Sequence, residues 1–285
     1  MKRFFTHIFP SILLISTMTF SHAQRLPSML DQREWLGIFS AHQRRDFQFT
    51  VDSGALCTIY LMKSRKERAS HSKMVKIYTE IVVENNQGKQ YSKRLKDDEV
   101  LTTTMKPGLD HEEVVYTAET TGDAKVQVMI KYDGDRIIMD GKILDRGTLK
   151  DDKIYFCFKV MMPEFYRTQT YGDDKDKAKA KMKRDHFRIT RPKDRKPIKL
   201  KVYEEYDFSS KELAADGISK LEVEMTAQED KEFIFSTLDG KGVLQLENRK
   251  KGTKSQPWKG YYVKWYRPLK EEKGKEIKPL VIEIK

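Results

Sequence analysis

Cysteine is scarce: the 285-residue chain has two, Cys57 and Cys157, which excludes a disulfide-stapled miniprotein. Glycine (15) and proline (9) are too few for a collagen-like or low-complexity chain. Beyond the N-terminus no apolar run reaches the roughly 18 to 20 residues that a membrane-spanning helix needs. A G-x-S-x-G elbow, a P-loop and an H-E-x-x-H pair are also missing. Neither cysteine lies in a C-x-x-C pair or beside a histidine, so zinc and thiol-redox roles have no local signature. What is present is an apolar fraction of 38% with 11% aromatics, too much for general disorder, and 55 Lys+Arg against 43 Asp+Glu, a formal net charge of +12.

Lys2 and Arg3, the mainly apolar stretch 8–20, and the small residues Ser21 and Ala23 have the layout of a secretory signal peptide over residues 1–23. The expected mature chain starts at Gln24, keeps 53 basic against 43 acidic residues (net +10), contains no transmembrane span, and is periplasmic or extracellular. Export to an oxidising compartment makes a Cys57–Cys157 disulfide an expectation. A loop of that length is worth about 4.7 kcal/mol in the chain-entropy model. The competing reading is two buried free thiols, each packed as a small apolar residue.

Period-two patterning dominates the rest. Val126, Val128 and Ile130 alternate with Lys125, Gln127, Met129 and Lys131, and Leu221 to Met225 alternates likewise with Glu222 and Glu224. The same pattern recurs at Ile154, Phe156, Phe158 and Val160, at Ile198, Leu200 and Val202, and at Leu280, Ile282 and Ile284. Each such run reads as a strand with one buried face. Asp133-Gly134, Asp140-Gly141, Asp216-Gly217, Asp239-Gly240 and Asn85–Gly88 read as the turns between antiparallel neighbours. The expected fold is an all-β antiparallel sandwich of about 14 to 16 strands, because each sheet has one apolar face that another sheet can cover. Helix is confined to two short candidates, Ser28–Phe39 and a charged helix or loop near 173–185, whose lysines surround the axis and leave no apolar face. After a segment at 24–34, the chain reads as one elongated sandwich over 35–285 with a basic insertion at 167–197. The alternative is two sandwiches, 35–166 and 198–285.

Phe49-Thr50-Val51-Asp52-Ser53-Gly54-Ala55 resembles the active-site triplet of retroviral-type aspartic proteases, in which paired carboxylates share one proton to activate water. The resemblance covers these seven residues alone. Leu56 and Tyr60 are bulkier than the family places there, and no Gly-rich flap follows, so the segment reads as a strand ending in a Ser-Gly turn and Asp52 as non-catalytic. Ser70–Lys73 has S-x-x-K spacing without its partner motifs, and is read as a chance match. The four histidines of the mature chain are each alone in their segment, and the acidic runs at 97–99 and 110–113 lack calcium-loop spacing, so no metal and no cofactor are called for. A lyase or glycosidase drawing on Tyr166, Arg167, His186 and Arg188 has no local motif behind it.

Basic charge is concentrated. Residues 161–200 carry 13 Lys/Arg against 6 Asp/Glu, and residues 248–278 carry 11 against 3. Two such segments suit an acidic polymer, such as an anionic polysaccharide. Lys175, Lys177, Lys179 and Lys181 are the candidates in the first segment; Trp258, Tyr262, Lys264 and Tyr266 are those in the second. As a strand, the second segment puts Tyr261, Val263 and Trp265 on one face, read as core, and Tyr262, Lys264 and Tyr266 on the other, read as a surface for stacking on sugar. The resulting expectation is an exported non-catalytic binding or envelope-associated protein with an acidic or glycan partner. A carbohydrate-active enzyme on the same scaffold and a structural surface protein are the other two readings.

Overall fold

A computed structural model describes residues 25–29, 35–64, 67–69, 74–96, 101–150, 153–163, 176, 180, 182–202, 204, 206–208, 213, 217–225, 231–237, 243–248, 260–271, 274 and 276–285. Among these, 18 strands, numbered in chain order, form two sheets. The ten-stranded sheet runs β16 (Leu244–Asn248), β17 (Tyr261–Pro268), β11 (Lys153–Met161), β5 (Val75–Glu84), β3 (Cys57–Ser64), β2 (Phe47–Asp52), β1 (Ile38–Gln43), β7 (Gly108–Leu109). Two short strands join it from the side, β4 (Glu67–Arg68) on β3 and β6 (Gln90–Arg94) on β5. The eight-stranded sheet runs β13 (Ile198–Lys201), β12 (His186–Thr190), β14 (Lys220–Met225), β15 (Lys231–Thr237), β18 (Leu280–Ile284), β10 (Arg136–Asp145), β9 (Lys125–Asp133), β8 (Glu113–Glu119). Pairing is antiparallel except between β1 and β7. The two-residue strands β4 and β7 lift the number above the expected 14 to 16, because period two has no meaning over two residues.

Alternation places the core. Val126, Val128 and Ile130 of β9 are fully buried, as are Val114 and Tyr116 of β8, and they join Phe49, Ile59, Phe156, Phe158 and Trp265 of the facing sheet in one cluster. Strands from the early and late parts of the chain mix in both sheets: β17 pairs with β11, and β18 pairs with β10. Arg267 of β17 also reaches across to β10, where it donates to the Gly141 carbonyl at 3.0 Å and pairs with Asp140.

Two of the expected turns close as read. The β9–β10 hairpin turns over Gly134, whose φ of +60° glycine adopts without strain. The β5–β6 turn is held by Asn85, whose Oδ1 accepts from the amides of Gln87 and Lys89 at 3.0 and 2.9 Å. Asp140-Gly141 is different, since it lies in the middle of β10. Helix differs too: Ile38 and Phe39 belong to β1, and Met29 donates its amide to the Ile38 carbonyl, which an apolar pattern this short did not distinguish from a helix face. Most of 173–185 lies outside the described residues; its end forms a 3-10 turn at Met182–Arg184. No helix among the described residues is long and apolar enough to cross a membrane.

The expected disulfide is corrected. Cys57 and Cys157 are both free and buried. They lie on β3 and β11, which flank β5 on its two sides, so about 9 to 10 Å of sheet separates them, beyond the roughly 7 Å limit for a bridge. They also face opposite ways: Cys57 belongs to the core between the sheets, and Cys157 to a small outer cluster with Val82 and Tyr266. Burial pushes the Cys57 thiol up to about 12 and raises that of Cys157 well above its ordinary value, so both are held as unreactive thiols.

Candidate functional site

The outer face of the ten-stranded sheet is interrupted beside β5. On one side β5 is paired with β11 from Lys76 to Glu84. On the other, β3 covers Val75–Ile77 and β6 covers Glu80–Glu84. Tyr78 and Thr79 fall between these two partners, and the gap opens a notch of about 360 Å³. One wall is the turn at 54–56, a second is the end of β6 at Arg94 and Leu95, and Lys159, Met161 and Tyr262 close the third. A hollow of this size is in the range that holds small ligands.

The first wall is the segment that resembles the protease triplet. Here Asp52 Oδ1 accepts from the amides of Gly54 and Leu56, both at 2.9 Å, while Ala55 donates its amide to the Asp52 carbonyl at 3.0 Å. Ala55 consequently adopts φ +62°, a left-handed conformation unusual for a residue with a side chain. The carboxylate is therefore a turn-former. Burial raises the Asp52 carboxyl above its ordinary value, against the opposing pull of the two amide hydrogen bonds and the charges of Arg25 and Lys76. A group raised by the fold contributes less stability once pH rises through its shifted value. Asp52→Asn keeps an oxygen acceptor for both amides and has no charge to bury, so it is expected to be at least as stable as the parent near neutral pH, with the difference narrowing in acid. Urea unfolding at several pH values measures this. A loss of about 1 kcal/mol or more at neutral pH would show that the charge itself holds the turn.

The notch combines rings with charge. Tyr78 is 36% exposed at its mouth. The Lys159 ammonium lies 4.3 Å from the Tyr262 ring centroid, a cation–π contact between neighbouring strands. Glu80 forms part of the lining, nearly fully buried, and accepts from Ser92 Oγ at 3.1 Å. Arg94 stands directly opposite Glu80 in the β5–β6 register and is exposed. Among the described residues, neither Arg94 nor Lys159 takes part in an ion pair. The set offers flat apolar surface, two cationic donors and one buried acceptor.

Of the residues singled out in sequence, Tyr262 lines this notch. Tyr261, Val263 and Trp265 are core, so the two faces of β17 are divided as read. Lys264 and Tyr266 differ from the expectation of exposure, being only 8% exposed each. Lys264 is engaged by Glu247 of β16, and Tyr266 packs edge-on to Tyr155 at 6.0 Å beside Cys157. Neither lines the notch, because on β17 each is enclosed by side chains of the strands on either side, Glu247 of β16 for Lys264 and Tyr155 and Cys157 of β11 for Tyr266. Trp258, Lys175, Lys177, Lys179, Lys181, Ser70, Lys73, Tyr166 and Arg167 lie outside the described residues. Tyr78, Glu80, Arg94 and Lys159 were not singled out in sequence. Tyr78 and Glu80 of β5, Lys159 of β11 and Arg94 at the end of β6 all belong to the outward-facing half of their strands, which marks every such residue alike.

His186 and Arg188 do come together, on the outer face of the other sheet. His186 Nδ1 lies 2.9 Å from the Arg184 carbonyl, an acceptor, so it carries the proton; Nε2 then accepts from Arg188 Nε at 3.0 Å. Arg188 also donates to Glu224 at 3.2 Å and Glu232 at 3.3 Å. Both carboxylates thus gather on one guanidinium, and Glu224 Oε2 also lies 3.3 Å from His186 Nε2, a cross-strand clamp over β12, β14 and β15. Among the described residues, no group of three or more His, Cys, Asp or Glu is placed to hold a metal ion. No protein-family model matches the chain, and no curated protein is similar to it at a significant level.

Proposed function

We propose that the protein is an exported, non-catalytic binding or envelope-associated protein that holds an acidic glycan in the notch beside β5. The observation that carries this reading is the Lys159–Tyr262 pair, with Arg94 across the same hollow. A sugar ring excludes water by lying on a tyrosine face, its acid group meets Lys159 or Arg94, and its hydroxyls donate to the buried Glu80 carboxylate. A hydrogen bond to a charged group is worth about 1.5 to 3 kcal/mol, which makes Lys159→Gln expected to weaken binding about tenfold or more. Tyr262→Ala weakens it with little loss of stability, because this ring is only half-buried. Calorimetric titration with oligouronates, with thermal unfolding of each variant as control, tests this. Full affinity in both variants would reject the notch as the site.

The competing reading is a carbohydrate-active enzyme, for which the notch supplies one carboxylate of the two required. Glycosidases use a pair of carboxylates, and Glu80 is the one carboxylate among the described residues that line the notch. Chain shortening of a bound polysaccharide that Glu80→Gln abolishes would establish that reading instead.

A further inference from the structure

The notch has two companions on the same strand. Outward-facing side chains of β11 follow in the order Met161, Lys159, Cys157, Tyr155, Lys153. Met161 and Lys159 line the notch; Tyr155 lines a second hollow of about 230 Å³, with Tyr266; Tyr155 and Lys153 line a third of about 200 Å³, with Arg146 and Lys270. The second and third share Tyr155 and Pro268 as a common wall. Glu84 engages Lys153 at 2.7 Å, so the third hollow's unengaged charge comes from Arg146 and Lys270, both exposed and, among the described residues, in no ion pair. Cationic groups therefore stand at both ends of the row, with tyrosines between them. At about 3.3 Å per residue, Lys159 and Lys153 are roughly 20 Å apart, a distance several linked monosaccharides long.

From this alignment we infer that the ligand is a linear acidic polysaccharide lying along β11, bound at both ends of the row, rather than a single sugar in the notch. The inference rests on the reading of the notch given above. A ligand occupying two tethered subsites gains through effective concentration, on the order of 100-fold over either alone. One anionic end meets Arg94 and Lys159, the other Arg146 and Lys270. Residues 153–161 form one continuous strand, which fixes the spacing between the two ends.

The test uses the full chain and oligogalacturonates of increasing length, from dimer to octamer. Affinity is expected to step up about 100-fold once the oligomer reaches from the notch to the third hollow. The double variant Arg146→Gln/Lys270→Gln should remove that step, so that the octamer binds little more tightly than the dimer. A flat length dependence, or a step that survives in the double variant, would overturn the row, while dimer binding lost in Lys159→Gln would still uphold the notch. No binding at any length would remove both. Equal affinity for duplex DNA of matched charge would overturn the row as a sugar site, because it would show that charge alone is read.

Discussion

Trp265→Ala is expected to lower stability by about 3 to 5 kcal/mol, the range for a large aromatic truncated in a packed core. Trp265 is fully buried in β17. Its ring stacks on Phe158 at 5.5 Å and meets Phe156 edge-on at 6.2 Å, while the Arg267 guanidinium lies 5.2 Å from its centroid. Removing the indole forfeits its transfer free energy and leaves a cavity walled by phenylalanines that the rigid strand pairs β11–β17 and β16–β17 do not collapse. Urea unfolding should show a lower midpoint with an unchanged slope. The neighbouring Tyr262→Ala, on the opposite face, should cost far less. Equal losses at the two positions would mean that the face assignment is wrong, since shifting the register by one residue exchanges them.

Gly141→Val should be about as damaging, by about 3 kcal/mol or more, for the opposite reason. A Cβ built at Gly141 would stand 2.1 Å from Phe156 Cζ and 2.3 Å from Cε1. The ring has no room to yield, because Phe158 lies edge-on to it at 4.8 Å and Trp265 at 6.2 Å. Gly141 does not have a positive φ, so the cost is steric and is expected already in Gly141→Ala. A double-mutant cycle isolates it: Phe156→Leu should recover much of the stability lost in Gly141→Ala, a coupling within the 0.5 to 3 kcal/mol typical of contacting residues. Additive losses would show that the ring is not what excludes a side chain here.

Gly141 also shows how a local signal is misread. Asp140-Gly141 has turn chemistry, yet it sits mid-strand because the facing sheet brings Phe156 against the backbone. Asp133-Gly134, with the same two residue types, does make its hairpin. The residues themselves do not distinguish the cases; what packs against each does.

The alternation of β9, β11 and β17 determined by itself that this chain is a sandwich and which side of each strand is core, because with a period of two only one register buries the apolar set. The net charge of +12 likewise belongs to the sequence alone. Tertiary structure decided which outward-facing residues gather into a site. Tyr78, Arg94 and Lys159 meet only because β5 changes partner from β3 to β6 at Tyr78, and Cys57 and Cys157 are kept apart only because β5 runs between their strands. Both outcomes depend on pairings between residues far apart in the chain, and the pairing order is set by the free energy of the assembled sheets, which no local pattern encodes.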